Sequence, residues 1–137
     1  MKKRLLGIDF GKKHTGLAVA DYPGLTAKPL ATLRYDSPRF WIELERIIAD
    51  ENINAFLVGY PESEVHGEIH DSVERFIREL KDHFPLFDIE TLDESYTSIE
   101  ADIMLHETGQ FKKGKRTGQH SQAAKILLLR YLNKNSS

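Results

Sequence analysis

The sequence predicts an α/β fold in which helices cover both faces of a mixed five-stranded sheet. Two apolar runs, residues 4–10 and 15–21, flank a Gly/Lys turn in the pattern of a β-hairpin. A third run, residues 27–35, extends the meander, and helical and extended patterns alternate after it. Strands that are joined through a helix are expected to be parallel, so the sheet should combine antiparallel and parallel pairs.

The third strand contains Pro29, which an edge strand tolerates because its outer side has no hydrogen bond to lose. Ser37 and Pro38 then predict a helix start, with Ser37 as the cap and Pro38 as the first helical residue. Asn52 predicts the end of this helix. Residues 55–59 form a short continuous apolar run, the pattern of a buried parallel strand.

The second half of the chain alternates in the same way. Residues 69–84 carry apolar side chains on one helical face, Pro85 ends that helix, and residues 87–92 alternate as a fifth strand. A capping box at residues 97–100 predicts a helix that runs to about residue 109. A polar, basic loop over residues 110–119 leads to a last helix over residues 121–132. No linker or repeat interrupts the pattern, so we expect a single domain over residues 1–137.

Composition limits the possible functions. The 137 residues have a formal net charge of −2, so any contact with nucleic acid must come from a local basic patch. No cysteine is present, which excludes disulfides, thiolate catalysis and cysteine-based zinc sites. No apolar run approaches the roughly 18 residues that span a bilayer, and the basic start lacks a signal-peptide cleavage site. We expect a cytoplasmic protein with no membrane partner.

Asp9 is a single carboxylate within the first apolar strand. An isolated, buried carboxylate is unfavourable unless a cation neutralises it, so a metal ion is a natural partner. The alternative is a structural aspartate that closes the turn.

An acidic pair, Asp93 and Glu94, follows the fifth strand. Ligands gather beyond the carboxyl ends of parallel strands, and carboxylates on neighbouring strands there could share a metal pair. Alternation along the strand allows only one of the two to point the same way as Asp9. The alternatives are a solvated acidic loop and a helix cap at Asp93.

His120 lies near the packed face of the last helix, at its N-terminal end, where a neutral imidazole suits metal coordination. The alternative is a packed or capping histidine. Cations surround this predicted centre in sequence: Lys12 and Lys13 in the first turn, and Lys112, Lys113, Lys115 and Arg116 in the basic loop, which we define as residues 111–116. A basic rim around an acidic centre is what a phosphodiester nuclease needs, because cations hold backbone phosphates and carboxylates hold metals. A solvated charged surface is the alternative.

Four motifs resemble, in order and spacing, those of the bacterial YqgF family: Gly7-Ile8-Asp9-Phe10-Gly11, Val58-Gly59-Tyr60-Pro61, Asp93-Glu94-Ser95-Tyr96-Thr97-Ser98 and Ser121-Gln122-Ala123-Ala124-Lys125-Ile126-Leu127. Members of this family are named as pre-16S ribosomal RNA nucleases or Holliday junction resolvases. The resemblance covers residues 5–132. It implies a ribonuclease H-like fold and hydrolysis of phosphodiester bonds with Mg²⁺ or Mn²⁺. The implied partner is precursor ribosomal RNA, trimmed at its 5′ end during ribosome biogenesis, with branched DNA as the other candidate.

The resemblance also assigns site residues. Asp9 matches the first catalytic acid, and Asp93 and Glu94 match the acidic pair of an Asp-Glu-Arg motif. Asp9 and this pair would bind metal, and whether Asp93 or Glu94 is the ligand stays open. The arginine of that motif is Ser95 here. The third catalytic position, usually aspartate, is His120 here. Related resolvases of this fold can also use histidine in the last helix.

Two other classes are weighed against the nuclease. Sugar kinases and chaperone ATPases of the actin-like group also open with Gly-Ile-Asp-x-Gly, but they need a second phosphate loop, an adenosine motif and two domains. A catalytically silent nucleic-acid-binding module is the stronger rival, because His120 and Ser95 depart from the family pattern. The sequence leaves open whether the protein forms a homodimer.

Overall fold

A computed structural model describes residues 2–60, 68–93 and 116–135, with the side chains of residues 68–70 and 116–118 excepted. The strands are β1 (Lys3–Asp9), β2 (Thr15–Tyr22), β3 (Ala27–Leu33), β4 (Ala55–Tyr60) and β5 (Asp88–Asp93). The helices are α1 (Phe40–Asp50), α2 (Glu68–His83) and α3 (Arg116–Lys134). The helix predicted over residues 97–109 lies outside the described residues.

The five strands form one sheet in the order β3-β2-β1-β4-β5. β1 pairs antiparallel with β2, and β2 pairs antiparallel with β3, whereas β1–β4 and β4–β5 are parallel pairs. The predicted mixed five-stranded sheet is therefore confirmed. β3 is an edge strand, as Pro29 predicts, and the register between β2 and β3 shifts at Leu17/Ala18.

Each face of the sheet has its own apolar core. On one face, α1 and α2 pack Phe40, Leu44, Phe76 and Leu80 against strand residues such as Ile8. On the other face, α3 packs Ala124, Leu127, Leu128 and Tyr131 against strand residues such as Leu57. Helices on both faces are therefore confirmed. We call the two faces the α1/α2 face and the α3 face.

Two helix starts differ from the sequence predictions. α1 begins at Phe40 and not at Pro38, because Ser37 closes a turn that precedes the helix. The Ser37 carbonyl accepts from the Phe40 N–H at 3.1 Å, and its hydroxyl accepts from the Arg39 N–H at 3.1 Å. α3 begins at Arg116, so residues 116–119 are helical. The loop predicted over residues 110–119 is therefore wrong for these last four positions. Asn52, with φ of 55°, follows the end of α1 as predicted.

Candidate functional site

Four strands place their ends at one edge of the sheet. β1, β4 and β5 run parallel and end at Asp9, Tyr60 and Asp93, and β3, antiparallel to β2, ends at the same edge with Leu33. The β1–β2 turn, residues 10–14, and the β3–α1 loop, residues 34–39, lie there as well. We call this the site edge. It is where open sheets of this kind bind ligands.

Asp9 lies on the α3 face of β1. Leu5 packs in the core of that face, and side chains alternate along a strand, so Asp9 shares its side. The side chain is half-buried, and its register partner on β2 is Gly16. Asp9 is thus placed at the site edge, beneath the helix that carries His120.

Gly16 brings the start of α3 down onto Asp9. A Cβ atom on Gly16 would lie only 1.9 Å from the carbonyl oxygen of His120 and 2.9 Å from the backbone nitrogen of Ser121. Only a residue without a side chain allows this approach. Antiparallel register partners have Cα atoms about 5 Å apart, so the His120 backbone lies directly over the Asp9–Gly16 pair.

His14 is a second imidazole at this position. Its ring stacks on that of His120, with ring centroids 4.8 Å apart and an interplanar angle of 21°. His14 ends the β1–β2 turn, and both side chains are half-buried. This contact fixes the His120 ring against the turn. No local sequence pattern predicts this stacking, which joins positions 106 residues apart.

The β1–β2 turn is held in a single closed shape. The Thr15 hydroxyl, fully buried, donates to the Gly11 carbonyl at 2.7 Å and accepts from the Gly11 N–H at 3.3 Å. A Cβ on Gly11 would come within 2.5 Å of the His14 carbonyl oxygen, so the turn also needs glycine there. Lys12 and Lys13 are exposed at the tip of this turn.

Asp93 lies apart from Asp9. β4 separates their strands, so the expectation of carboxylates on neighbouring strands is wrong, and the two backbones are about 10 Å apart at two strand spacings. Asp93 is the register partner of Tyr60, which packs on the α1/α2 face, whereas Leu92 packs on the α3 face. Asp93 therefore belongs to the face opposite Asp9. Glu94 lies outside the described residues.

Arg130 of α3 reaches the end of β5. Its guanidinium Nη1 donates to the carbonyl oxygen of Asp93 at 3.3 Å. Burial lowers the pKa of Arg130, and the negative charge of Asp93 opposes that shift. Next to it, the Tyr131 hydroxyl donates to Glu90 at 2.7 Å. The same helix thus contacts the Asp9 strand pair at its start and β5 near its end, a link that no local sequence pattern signals.

The remaining predicted cations are described only in part. Lys112, Lys113 and Lys115 lie outside the described residues, and Arg116 is the first residue of α3. Asp9 and His120 both lie on the α3 face at the site edge, so both could hold a metal. Within residues 2–60, 68–93 and 116–135, however, no three carboxylate or imidazole groups converge on one point. No helix in these ranges is long and apolar enough to cross a membrane.

Comparison with known proteins adds to this geometry. The family described as "RuvX: Holliday junction resolvase" matches residues 3–134. A protein of Chlorobaculum tepidum named "Putative pre-16S rRNA nuclease" is 38% identical over 98% of this chain and 96% of its own length. Proteins of the same name from Chlorobium luteolum, 35% identical over 98% and 96%, and Lactobacillus johnsonii, 33% identical over 92% of each, are also similar.

Among solved structures, Archaeoglobus fulgidus Pelota aligns with 98% of this chain at 13% identity and a TM-score of 0.47. The chain covers 36% of that protein.

Proposed function

The chain belongs to the RuvX family of Holliday junction resolvases, and from that premise we propose that it cleaves phosphodiester bonds of precursor 16S ribosomal RNA with Mg²⁺ or Mn²⁺. It is a nuclease, a hydrolase that acts on ester bonds, and its fold is of the ribonuclease H-like type. The ribosomal RNA substrate is supported by the names of the relatives that match nearly the whole chain.

One observation carries the catalytic proposal. Asp9 and the start of α3 meet at the site edge, where a Cβ on Gly16 would overlap the His120 backbone. A carboxylate and an imidazole held over the same strand pair are two donors of the kind that divalent metals use. The sheet fixes the position of Asp9, and the packing of α3 on Gly16 fixes that of His120.

A third donor is needed, and we assign it to Glu94. Glu90 contacts Tyr131 of α3, and Leu92 packs on the α3 face, so even-numbered positions of β5 share the face of Asp9. Glu94 has that parity in the sequence, and Asp93 does not. The Asp93 side chain would then lie on the opposite face of β5, while its backbone carbonyl is bound by Arg130 of α3. A bound divalent ion would polarise a phosphate oxygen and make a water molecule more acidic.

The cations position the substrate. Lys12 and Lys13 lie at the tip of a closed turn that begins directly after Asp9, so their ammonium groups flank the proposed cleavage point. Phosphates held there would present one phosphodiester bond to Asp9 and His120. Lys112, Lys113 and Lys115, which precede α3 in the sequence, and Arg116, its first residue, would contribute further phosphate contacts.

The second candidate function is resolution of branched DNA, which the description of the family favours. A third outcome, binding without cleavage, follows if His120 and Ser95 have removed too much of the site. These candidates differ in what the protein cleaves, so a direct comparison of substrates separates them.

The test uses four labelled substrates with the purified protein in Mg²⁺, in Mn²⁺ and in EDTA. They are an RNA that spans the 5′ end of 16S ribosomal RNA, the same RNA without the precursor extension, a four-way DNA junction and a linear duplex of one of its arms. We expect metal-dependent cleavage of the extended RNA only. Preferred cleavage of the junction would establish the second candidate instead, and binding without cleavage of any substrate would contradict enzymatic activity.

A further inference from the structure

The β3–α1 loop is fixed against the turn that carries Lys12 and Lys13. The Asp36 N–H donates to the carbonyl oxygen of Lys12 at 3.2 Å. The Tyr35 ring packs edge-on against Phe10, with centroids 4.9 Å apart, and its hydroxyl donates to Glu79. These contacts hold the loop at the site edge without the help of its charged side chains.

An oriented guanidinium projects from this loop. Arg34 donates from Nε to Asp36 Oδ1 and from Nη2 to Asp36 Oδ2, both at 2.9 Å. Both side chains are exposed, with fractions of 60% and 47%. The Arg34 guanidinium, and to a smaller extent Lys13, hold the pKa of Asp36 below its usual range. Three cations and one carboxylate, Lys12, Lys13, Arg34 and Asp36, therefore form a local cluster with a net charge of +2.

The ion pair is not required to build the loop. Exposed ion pairs contribute little to stability, and here the backbone bond to Lys12 and the half-buried Tyr35 ring already fix the loop. The two-pronged geometry that Asp36 satisfies is the geometry with which arginine binds a phosphate group. Arg34 can therefore exchange Asp36 for a phosphate at little cost to the fold.

The position of Arg34 sets where that phosphate lies. β3 is two strand spacings from β1, about 10 Å across the sheet. A nucleic-acid strand in a duplex places one phosphate every ~3.4 Å of axis. Arg34 is thus within about three phosphates of the bond that faces Asp9, on the side of the sheet opposite β5.

We propose that Arg34 binds a backbone phosphate of the nucleic-acid substrate within about three nucleotides of the cleaved bond, as an extension of the Lys12–Lys13 contact, and that Asp36, which pairs with Arg34 in the free protein, competes with that phosphate and weakens the affinity. This inference rests on the proposed function, since it assumes that nucleic acid crosses the site edge. It adds the β3–α1 loop to the binding surface.

Substitutions of opposite sign test it. Arg34→Gln removes the cation and Asp36→Asn removes the competing carboxylate, and both leave the Asp36 N–H bond in place. The matched controls are Arg46→Gln and Asp50→Asn, at exposed positions of α1 away from the loop. Binding of the extended RNA is measured by fluorescence anisotropy over a series of salt concentrations in EDTA, so that metal-dependent cleavage does not interfere.

Arg34→Gln is expected to lower the slope of log affinity against log salt by about 0.7–0.9, whereas Arg46→Gln leaves it unchanged. Asp36→Asn is expected to tighten binding about threefold relative to Asp50→Asn, as loss of a screened repulsion predicts. An unchanged slope in Arg34→Gln, or weaker binding in Asp36→Asn, would overturn the inference even if the parent binds and cleaves. A parent that binds no nucleic acid would overturn the proposed function together with it.

Discussion

Gly16→Ala should displace the start of α3 from Asp9. The added Cβ would lie 1.9 Å from the His120 carbonyl oxygen, where an ordinary contact is at least 3.4 Å, so the backbones must separate by about 1.5 Å. β2 is paired on both sides, with Asp9 opposite Gly16 on β1 and Thr32 opposite it on β3. The helix is therefore the element that moves.

The expected cost follows from this separation. Overpacking of a tight contact destabilises a protein by typically ~1–3 kcal/mol, which a folded domain with ~5–15 kcal/mol tolerates. A displacement of ~1 Å among catalytic groups lowers activity about 100-fold. We expect a folded Gly16→Ala protein with a reduced free energy of unfolding in urea and about 1% of the parental cleavage rate.

Gly7→Ala is the matched control on the same sheet–helix interface. Its Cβ would meet the Leu128 side chain at 2.6 Å and the Ala124 carbonyl oxygen at 3.1 Å, in the middle of α3 and away from His120. It should lower stability by a similar amount and cleavage by less than about tenfold. A folded Gly16→Ala protein that cleaves at the parental rate would refute the reasoning, because His120 would then not need its place over Asp9.

Three further predictions concern charge, metal and pH. Neutralising two of the four cations at positions 112, 113, 115 and 116 should lower the salt slope of RNA binding by about 1.4–1.8, and an unchanged slope would mark them as a solvated surface. His120 should make the protein favour Mn²⁺ over Mg²⁺, so His120→Asp should recover Mg²⁺-supported cleavage. A fully active His120→Ala protein would show that His120 is not a metal ligand. Burial and the hydrogen bond to Glu79 raise the pKa of Tyr35 from 10.0 to about 12. The folded state therefore favours the neutral phenol, and the free energy of unfolding should fall as pH rises from 10 to 12. Tyr35→Phe should reduce this fall, as measured by urea unfolding across that pH range. The same pH dependence in the variant and the parent would contradict the raised pKa of Tyr35.

Much of the fold could be predicted from sequence, because hydrophobic periodicity reflects burial directly. The run at residues 55–59 predicts a buried strand, and β4 lies between β1 and β5 with Phe56, Leu57 and Val58 fully buried. The starts of the helices could be predicted less well from the sequence. Ser37 is a residue type that often caps helices, but its hydroxyl and carbonyl are used in a turn that precedes α1. Residue type alone does not distinguish a helix cap from such a turn.

The residue types of the candidate site could be predicted from the sequence better than their arrangement in space. Asp9 and His120 are recognisable from a lone acid in an apolar strand and an imidazole at a helix start. Strand order is decided by packing over the whole sheet, so the separation of Asp9 from Asp93 by β4 could not be predicted from either segment alone. The same holds for the stacking of His14 on His120 and for the contact of Arg130 with Asp93, which join residues distant in sequence.

Asp9→Asn tests the central claim most directly. The change keeps the size of the side chain but removes the charge that would hold a divalent ion, and the hairpin should fold unchanged. Asp88→Asn, an exposed acid at the opposite end of β5, is the control. With the extended RNA and Mn²⁺, we predict no cleavage above background for Asp9→Asn and parental cleavage for Asp88→Asn. Cleavage at the parental rate by a folded Asp9→Asn protein would contradict a catalytic centre at the site edge.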